Sequence, residues 1–325
     1  MRFRRFATLV VALTALTATS VQAEIRLTSD VFAQEVAAAA QQTALGVVQP
    51  LPETVLSSPQ GAYTASTSLP KSCSPRYRIA LIANPQPCTL GDTTSSTSIV
   101  LVGSSHAGMW SRALSKVALD NHFALKTFIY TSCVPIITTT PLPPLTPVDP
   151  KVTATTCATW NSRVGKAINA LRPAAVFIGS GTEFDISGET QTQWSTGFTA
   201  FIDAIHVGPK YIIGSSPRVT TAGEVAQCLV SHRTAITLCA TRVNLRRALD
   251  PTTALLRADR TVARVTGAEL LDVTPLLCTP VAAGSTSLRC PAVIDGRLVY
   301  VNGSHLSVGF TSHVQSVFQP VVAKL

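Results

Sequence analysis

The sequence predicts an α/β domain built on a mainly parallel sheet of five strands. After Gly91, short apolar runs alternate with segments of helical periodicity, which is typical of βαβ units. Hydrophobic residues make up 46% of the 325 residues, so the chain can bury a large core. We interpret the region after Gly91 as one domain, because no internal repeat divides it.

Five apolar runs are predicted as the strands, at residues 98–103, 123–130, 174–179, 211–214 and 269–273. The first helix between them carries Trp110, Leu114 and Val117 on one face. Further helices are predicted at residues 156–171, 194–205, 244–266 and 307–322. Asp295 and Gly296 stand between apolar residues, which predicts a short hairpin before the last helix.

Two segments precede this domain. Arginines within the first five residues come before an apolar run, and a small-x-small cleavage site ends at Ala23, which is typical of an export signal. The apolar run is too short to span a bilayer and no later run is longer, so we expect no membrane-embedded body. The predicted division is a signal peptide at residues 1–23, an N-terminal extension at 24–70 and the α/β domain at 71–325.

The charge of the chain excludes one class of partner. The formal net charge is +9, but three of the arginines belong to the predicted signal peptide and no long basic run follows. We therefore expect no nucleic-acid partner. A mildly basic exported protein is, however, attracted to an anionic cell envelope.

The eight cysteines predict disulfides. Their number is even, the chain carries an export signal and no C-x-x-C pair occurs, so disulfides are favoured over a zinc site and we expect no metal. The sequence leaves the connectivity open, and pairing of nearest neighbours is the simplest hypothesis. It joins Cys73 to Cys88, Cys133 to Cys157, Cys228 to Cys239 and Cys278 to Cys290.

Gly103-Ser104-Ser105-His106 follows the first predicted strand. Reactive groups collect at this carboxyl edge of an open parallel sheet, where N–H groups at the start of the next helix can stabilise an oxyanion. A serine hydroxyl there becomes a nucleophile when a base lies within reach. The structural alternative is that Ser104 or Ser105 only caps the helix.

Asn302-Gly-Ser-His305 lies in the loop before the last helix. A loop that follows the fifth strand can approach the end of the first, so this imidazole can serve as the base for Ser105. The alternative is an ordinary surface histidine. The role of His106 is also left open by the sequence, since this residue either shapes the site or only packs at the start of the helix.

These two blocks resemble those of a known family. Gly103-Ser104-Ser105-His106 resembles the G-D-S-H nucleophile block of the SGNH hydrolases, and Asn302-x-x-His305 resembles their D-x-x-H block. The chain is most similar to the SGNH domains attached or related to family 3 membrane acyltransferases, which O-acetylate cell-surface glycans. The likeness covers roughly residues 70–325 and includes Thr131-Ser-Cys-Val-Pro135, Cys157-x-x-Trp160, Cys278 and Cys290-Pro291.

The resemblance implies the SGNH hydrolase fold, a flavodoxin-like three-layer sandwich, and an acyl-transfer site without metal or cofactor. Ser105 would be the nucleophile and His305 the general base, oriented by Asn302. The surrounding pocket would be formed by the remaining residues of the first block and by residues 179–181, which lie where the family has a third block. The Ser105 N–H and a group from residues 179–181 would hold the oxyanion. These pocket residues are Gly103, Ser104, His106, Ser180 and Gly181.

Two departures from the family pattern affect the chemistry. Ser104 and Asn302 stand where the family has aspartate. Asn302 can orient His305 through its side-chain oxygen, but it lacks the charge that stabilises an imidazolium. The candidates for a substitute carboxylate are Glu183, Asp185, Asp272 and Asp295, and the sequence does not select among them.

The sequence thus leads to two hypotheses of function. The first is a secreted or extracytoplasmic serine esterase or O-acyltransferase that acts on acyl esters, acetyl above all, of cell-envelope glycans. Its partners would be an acylated glycan or another small ester, and a membrane acyltransferase that supplies acyl groups. The second is a module of the same fold that lost its activity with the two carboxylates and binds glycan.

Overall fold

The computed structural model describes residues 24–57, 69–73, 75, 78–138, 153–179, 181, 188–218, 225–247 and 251–325. The predicted signal peptide at residues 1–23 lies outside these ranges. Within them, no helix has the length and apolarity that crossing a membrane requires.

The strands of the described residues form three sheets. In chain order they are β1 (Ile25–Arg26), β2 (Cys88–Gly91), β3 (Ser98–Gly103), β4 (Ala124–Ile129), β5 (Ala175–Gly179), β6 (Lys210–Ile213), β7 (Thr241–Asn244), β8 (Glu269–Asp272), β9 (Thr279–Pro280), β10 (Ser287–Cys290), β11 (Val293–Ile294) and β12 (Arg297–Leu298). The central sheet has the order β1-β8-β6-β5-β3-β4-β2. All its pairs are parallel except β2 with β4.

The mainly parallel α/β class and the five predicted strands are confirmed, but the predicted number of strands was wrong, because this sheet has seven. The two additional strands are the edge strands β1 and β2. β1 has only two residues and β2 is half-buried throughout, so neither carries the continuous apolar run of a strand covered on both faces.

The helices are α1 (Asp30–Ala39), α2 (Pro52–Ser57), α3 (Ala80–Ala83), α4 (Ser105–Gly108), α5 (Ser111–Asp120), α6 (Ala154–Leu171), α7 (Gly188–Asp203), α8 (Val225–Ser231), α9 (Pro251–Thr266), α10 (Thr274–Leu277), α11 (Val308–His313) and α12 (Gln319–Val322). Short 3₁₀ turns lie at Lys71–Cys73, Ile236–Cys239 and Gln315–Phe318. The predicted helix at residues 244–266 corresponds to α9 at Pro251–Thr266, and Asn244 is instead the last residue of β7.

Two hydrophobic cores cover the two faces of the central sheet. Alternate residues of β3 point to opposite sides, so Ile99 and Leu101 join one core and Val100 and Val102 the other. The first core contains apolar residues of α1, α5, α8 and the C-terminal segment. The second contains those of α6, α7 and α9. The result is three layers with the sheet in the middle, and all four β3 side chains named here are fully buried.

Smaller elements complete the domain. β10 pairs antiparallel with both β7 and β9 in a three-stranded sheet. β11 and β12 form the predicted hairpin, and Asp295 and Gly296 both have positive φ at its turn. From the predicted extension, β1 extends the central sheet beside β8, and Phe32 and Val36 of α1 join the first core. The described part of that segment therefore packs on the domain.

The eight cysteines form four disulfides, and the pairs are those that nearest-neighbour pairing predicts. Cys73 is bonded to Cys88, Cys133 to Cys157, Cys228 to Cys239 and Cys278 to Cys290. Each bond closes a loop of 11 to 24 residues. Such bonds stabilise irregular connections, mainly by restricting the unfolded chain.

Candidate active site

Ser105 is held at the carboxyl end of β3 by close backbone packing. It is the first residue of the short helix α4, which lies against the ends of β3 and β5. Gly103 has φ +145°, and a Cβ atom there would lie 2.9 Å from the Gly179 carbonyl oxygen. At Gly179, a Cβ atom would lie 2.5 Å from the Cα of Ala107. Both glycines are needed to bring α4 this close to the sheet.

The two serines of this block have different contacts. Ser104 is the N-cap of α4, and its Oγ accepts a hydrogen bond of 3.3 Å from the His106 N–H. Ser105 Oγ is instead hydrogen-bonded to His305. The capping role thus belongs to Ser104, and the Ser105 hydroxyl is directed to the histidine.

His305 lies in a tight loop between the β11–β12 hairpin and α11. The Val301 N–H donates to the His305 carbonyl oxygen at 3.0 Å, which closes the loop. The Leu306 N–H donates to the Met109 sulfur at 3.4 Å, and Ser216 Oγ donates to the Ser304 carbonyl at 3.2 Å. These contacts fix the loop against the chain that follows β3 and against the chain that follows β6.

The loop brings together two side chains that are 200 residues apart in sequence. His305 Nε2 lies 2.8 Å from Ser105 Oγ, which is hydrogen-bonding distance. Both residues are buried, with exposed fractions of 5% and 3%. A nucleophile and a base within hydrogen-bond reach are the geometric requirement for acyl transfer through serine.

Asn302 contacts the other nitrogen of the same ring. Its Oδ1 lies 3.1 Å from His305 Nδ1 and also accepts from the backbone N–H groups of Ser304 and His305, at 3.0 and 2.8 Å. Because two N–H groups donate to this atom, it is the amide oxygen and it can only accept. His305 Nδ1 therefore carries the proton, and Nε2 is left to accept the proton of Ser105.

Burial sets the charge of this histidine. Loss of hydration disfavours the imidazolium and lowers the pKa of His305 to about 4. Asn302 supplies a dipole where a carboxylate would supply a negative charge. The ring is therefore neutral at neutral pH, which is the form that can accept a proton.

His106 packs against the base. Its ring is stacked on that of His305, with centroids 4.3 Å apart and an interplanar angle of 23°. Burial, the neighbouring His305 and the Arg218 guanidinium hold the pKa of His106 well below its usual range. A Cβ atom at Gly181 would lie 2.8 Å from the Cβ, Cγ and Cδ2 atoms of His106, so Gly181 leaves the room for this ring.

Three of the predicted site residues lie outside the described ranges, namely Ser180, Glu183 and Asp185. The two other candidate carboxylates have described partners away from His305. Asp272 accepts from the Thr274 N–H at 2.9 Å and lies 3.9 Å from Arg260, and Asp295 forms an ion pair with Arg297 in the hairpin.

Met109 and Ser216 support the site but were not predicted from the sequence. Ser216 follows β6 at the same edge of the sheet as Ser105, and this position was a signal that could have identified it. Nothing in the sequence indicates that the Met109 sulfur accepts an N–H.

A cleft of ≈ 660 Å³ lies apart from this pair, between α1, α9 and the end of β8. Its charged residues include Glu24, Arg26, Arg260 and Asp272. Arg260 donates two hydrogen bonds to the Glu24 carboxylate, at 2.9 and 3.0 Å. Ser105, Asn302 and His305 do not line it, so the volume of this cleft says nothing about the Ser–His pair.

Comparison with known proteins agrees with the fold. The periplasmic domain of a lipopolysaccharide acetyltransferase from Salmonella ser. Paratyphi A superposes with a TM-score of 0.53 at 12% sequence identity, covering 85% of this chain and 98% of that one. At this identity the likeness establishes the fold alone. A search of curated protein sequences gives no significant match. A family model described as SGNH domain (fused to AT3 domains) matches residues 72–320. The chain therefore belongs to this SGNH domain family, as its sequence motifs indicate.

Proposed function

We propose that the protein is an extracytoplasmic serine esterase or O-acyltransferase that acts on acyl esters of cell-envelope glycans. The observation that carries the proposal is the 2.8 Å contact between Ser105 Oγ and His305 Nε2. It occurs in a buried site whose histidine is neutral and held in the tautomer that accepts a proton.

In the first step, the Ser105 oxygen attacks the carbonyl carbon of the ester while its proton moves to His305 Nε2. A tetrahedral intermediate forms, and its negative oxygen needs hydrogen-bond donors. The Ser105 N–H is the first of α4 and has no intrahelical acceptor, so it is available as one donor. We assign a second donor to the chain that follows Gly179, where β5 ends beside Gly103.

The intermediate collapses when the bond between the carbonyl carbon and the alcohol oxygen breaks. The leaving oxygen takes the proton from His305 Nε2, and the acyl group remains on Ser105 as an ester. In the second step, His305 removes a proton from water or from a sugar hydroxyl, whose oxygen attacks the carbonyl carbon of the acyl-serine. The bond between that carbon and Ser105 Oγ then breaks, and the serine oxygen takes the proton back from His305 Nε2. Water gives hydrolysis, and a sugar hydroxyl gives transfer.

The environment and partners follow from the family and from the disulfides. Four disulfides are typical of an oxidising compartment outside the cytoplasm. Domains of this family are found fused to AT3 domains, so a membrane acyltransferase is the partner that would supply acyl groups. The Salmonella relative of this fold belongs to an acetyltransferase that acts on lipopolysaccharide, which favours acetyl esters of glycans as the substrate class.

A glycan-binding module without activity is the second candidate, and a specific observation favours it. Asn302 holds the place that a carboxylate takes in the family pattern, so the imidazolium that forms in the first step is stabilised by a dipole alone. Such a module would keep the pocket and bind the glycan without cleaving its ester.

The test is hydrolysis of a chromogenic acetyl ester by the protein and by its Ser105→Ala and His305→Ala variants. Matched controls are Ser162→Ala and His206→Ala, which change exposed residues of the same types away from the site. We expect each site variant to lose at least about a thousandfold in turnover, since nucleophile and base act as one unit. The controls should keep the wild-type rate.

Two results would contradict the proposal. One is hydrolysis that survives in both site variants, which would assign the activity to other residues. The other is a wild-type protein that is inactive on acetyl, propionyl and butyryl esters but binds acetylated glycan in a saturable way, which would establish the binding module.

A further inference from the structure

A surface formed by the small sheet carries unbalanced positive charge. Arg242 on β7 lies directly opposite Arg289 on β10 in the antiparallel register. Like charges in directly opposed positions destabilise a sheet. Arg246 and Arg247 follow β7 and are exposed, as Arg242 is. We call these four residues the arginine surface.

The segments of the small sheet that carry these arginines have no acidic residue of their own. Residues 240–247 and 279–290 contain no aspartate or glutamate. None of the ion pairs between described residues includes an arginine of this surface. Arg289 donates to the Ala40 carbonyl at the end of α1, at 3.1 Å, and so has a structural role too. Among the described residues, no ion pair engages the other three guanidinium groups, so they can contact an external anion.

An exposed apolar turn adjoins the arginine surface. β9 and β10 are joined by residues 281–286, of which Val281, Ala282, Ala283 and Gly284 are exposed. Val281 has 53% of its surface exposed. The Leu245 N–H donates to the Thr286 carbonyl at 3.0 Å, so Arg246 and Arg247 lie beside the base of this turn.

We propose that the arginine surface and the 281–284 turn dock the protein on an anionic phospholipid bilayer. Arginines bind lipid phosphates while a small apolar turn enters the headgroup region, and the two contributions add. The membrane is favoured over a soluble polyanion because the positive charge adjoins an apolar turn. A bilayer offers that turn an apolar environment, and a water-soluble polymer does not. The inference rests on the extracytoplasmic location in the proposed function, but not on its chemistry.

Docking of this kind would give the domain a membrane attachment that does not need a spanning helix. It would also keep the domain near the membrane acyltransferase assigned to it above. Each arginine near an anionic surface strengthens binding by about fivefold, so three together give about a hundredfold. Salt should weaken this contribution, because ions screen charges beyond about 10 Å at moderate ionic strength.

The experiment measures co-sedimentation of the protein with vesicles of phosphatidylcholine, with and without a third of phosphatidylglycerol, at low and high salt. The combined variant Arg242→Gln, Arg246→Gln, Arg247→Gln should bind the anionic vesicles about a hundredfold more weakly. The control variant Arg78→Gln, Arg112→Gln, Arg264→Gln removes the same charge from exposed arginines elsewhere and should bind like the wild type.

A second pair of variants tests the turn. Val281→Asp should weaken vesicle binding severalfold, while Val265→Asp changes a valine on α9 that is at least as exposed and should not weaken it. Unchanged thermal unfolding of each variant shows that its fold is intact. Ser105→Ala should bind vesicles like the wild type, so failure of the proposed chemistry leaves this result unaffected.

Two outcomes would overturn the inference. Equal weakening in both arginine variants would mean that only the net charge matters. Binding to polygalacturonate that depends on the arginine surface, without any binding to anionic vesicles, would assign the surface to an anionic glycan.

Discussion

The rings of His106 and His305 are stacked, with centroids 4.3 Å apart. Both rings are buried, so a proton on either would place a positive charge beside the other in a poorly hydrated site. The site therefore starts with two neutral imidazoles, of which His305 contacts the serine. In the proposed mechanism, His305 takes a proton only while the serine attacks the ester.

The pKa of His305 predicts the pH dependence of ester hydrolysis. The neutral ring is the active form, so kcat/KM should be constant above the pKa and fall as the pH decreases through about 4. An ordinary histidine would place this fall near pH 6.5. The measurement is kcat/KM against pH, with circular dichroism at each pH to exclude acid unfolding. A midpoint near 6.5 would contradict the assignment of a desolvated base.

Asn302→Asp should increase the activity. A carboxylate at the Asn302 Oδ1 position would keep the 3.1 Å contact with Nδ1 and stabilise the imidazolium as it forms. A hydrogen bond to a charged group contributes about 1.5–3 kcal/mol, which corresponds to an increase of roughly tenfold to a hundredfold in kcat/KM. The same charge raises the pKa of His305, so the acid limb should move to higher pH.

Asn302→Ala is the matched control for that substitution. It removes the acceptor of three N–H groups, so both activity and stability should fall. Equal rates for the aspartate and alanine variants would show that the Asn302 side chain does not act on the base.

His106 should act through the shape of its ring. His106→Phe keeps an aromatic surface against His305, whereas His106→Ala opens a cavity beside the base. We expect the phenylalanine variant to stay within about threefold of the wild-type rate. The alanine variant should lose about a hundredfold in rate, because a small displacement of a catalytic group has an effect of that size. Kinetics measures the change in rate, and the ¹H NMR signal of His305 Nδ1–H reports whether the ring of His305 has moved. Equal losses would instead assign a role to the ring nitrogens of His106.

Gly179 should be intolerant of a side chain. In Gly179→Ala, the new Cβ atom would lie 2.5 Å from the Cα of Ala107 and would push α4 away from the sheet. Overpacking of this kind costs about 1–3 kcal/mol of stability. Gly309→Ala is the control, because its nearest atoms would be 3.8 Å away. Urea unfolding of both variants checks the difference, and equal midpoints would contradict it.

The sequence predicted the elements in which burial or turn geometry determines the local order of apolar and polar residues. The central strands β3 and β5 are covered on both faces, so each is a nearly continuous apolar run, and the Asp295-Gly296 turn has a known residue preference. The edge strands β1 and β2 lack such a pattern because hydrogen bonds to a distant strand define them. For the same reason β7 was not predicted, and the predicted helix began at its last residue, Asn244.

The sequence also predicted the part of the candidate site that follows from the order of strands and helices. Ser105 follows a strand and His305 precedes a helix, so their meeting at one edge follows from the topology. The stacking of His106 and the support from Met109 depend on side-chain directions that only the packed structure defines. The carboxylate candidates Asp272 and Asp295 illustrate the limit, because their partners lie elsewhere in the fold.

The position of β1 has a consequence for the order in which the chain folds. Ile25 and Arg26 pair with Leu271 and Asp272, which are synthesised 246 residues later. Each disulfide loop, in contrast, can close as soon as a short stretch has been made. One border of the central sheet must therefore stay unpaired until β8 has been synthesised, and this late closure would make β1 the slowest strand of the central sheet to assemble.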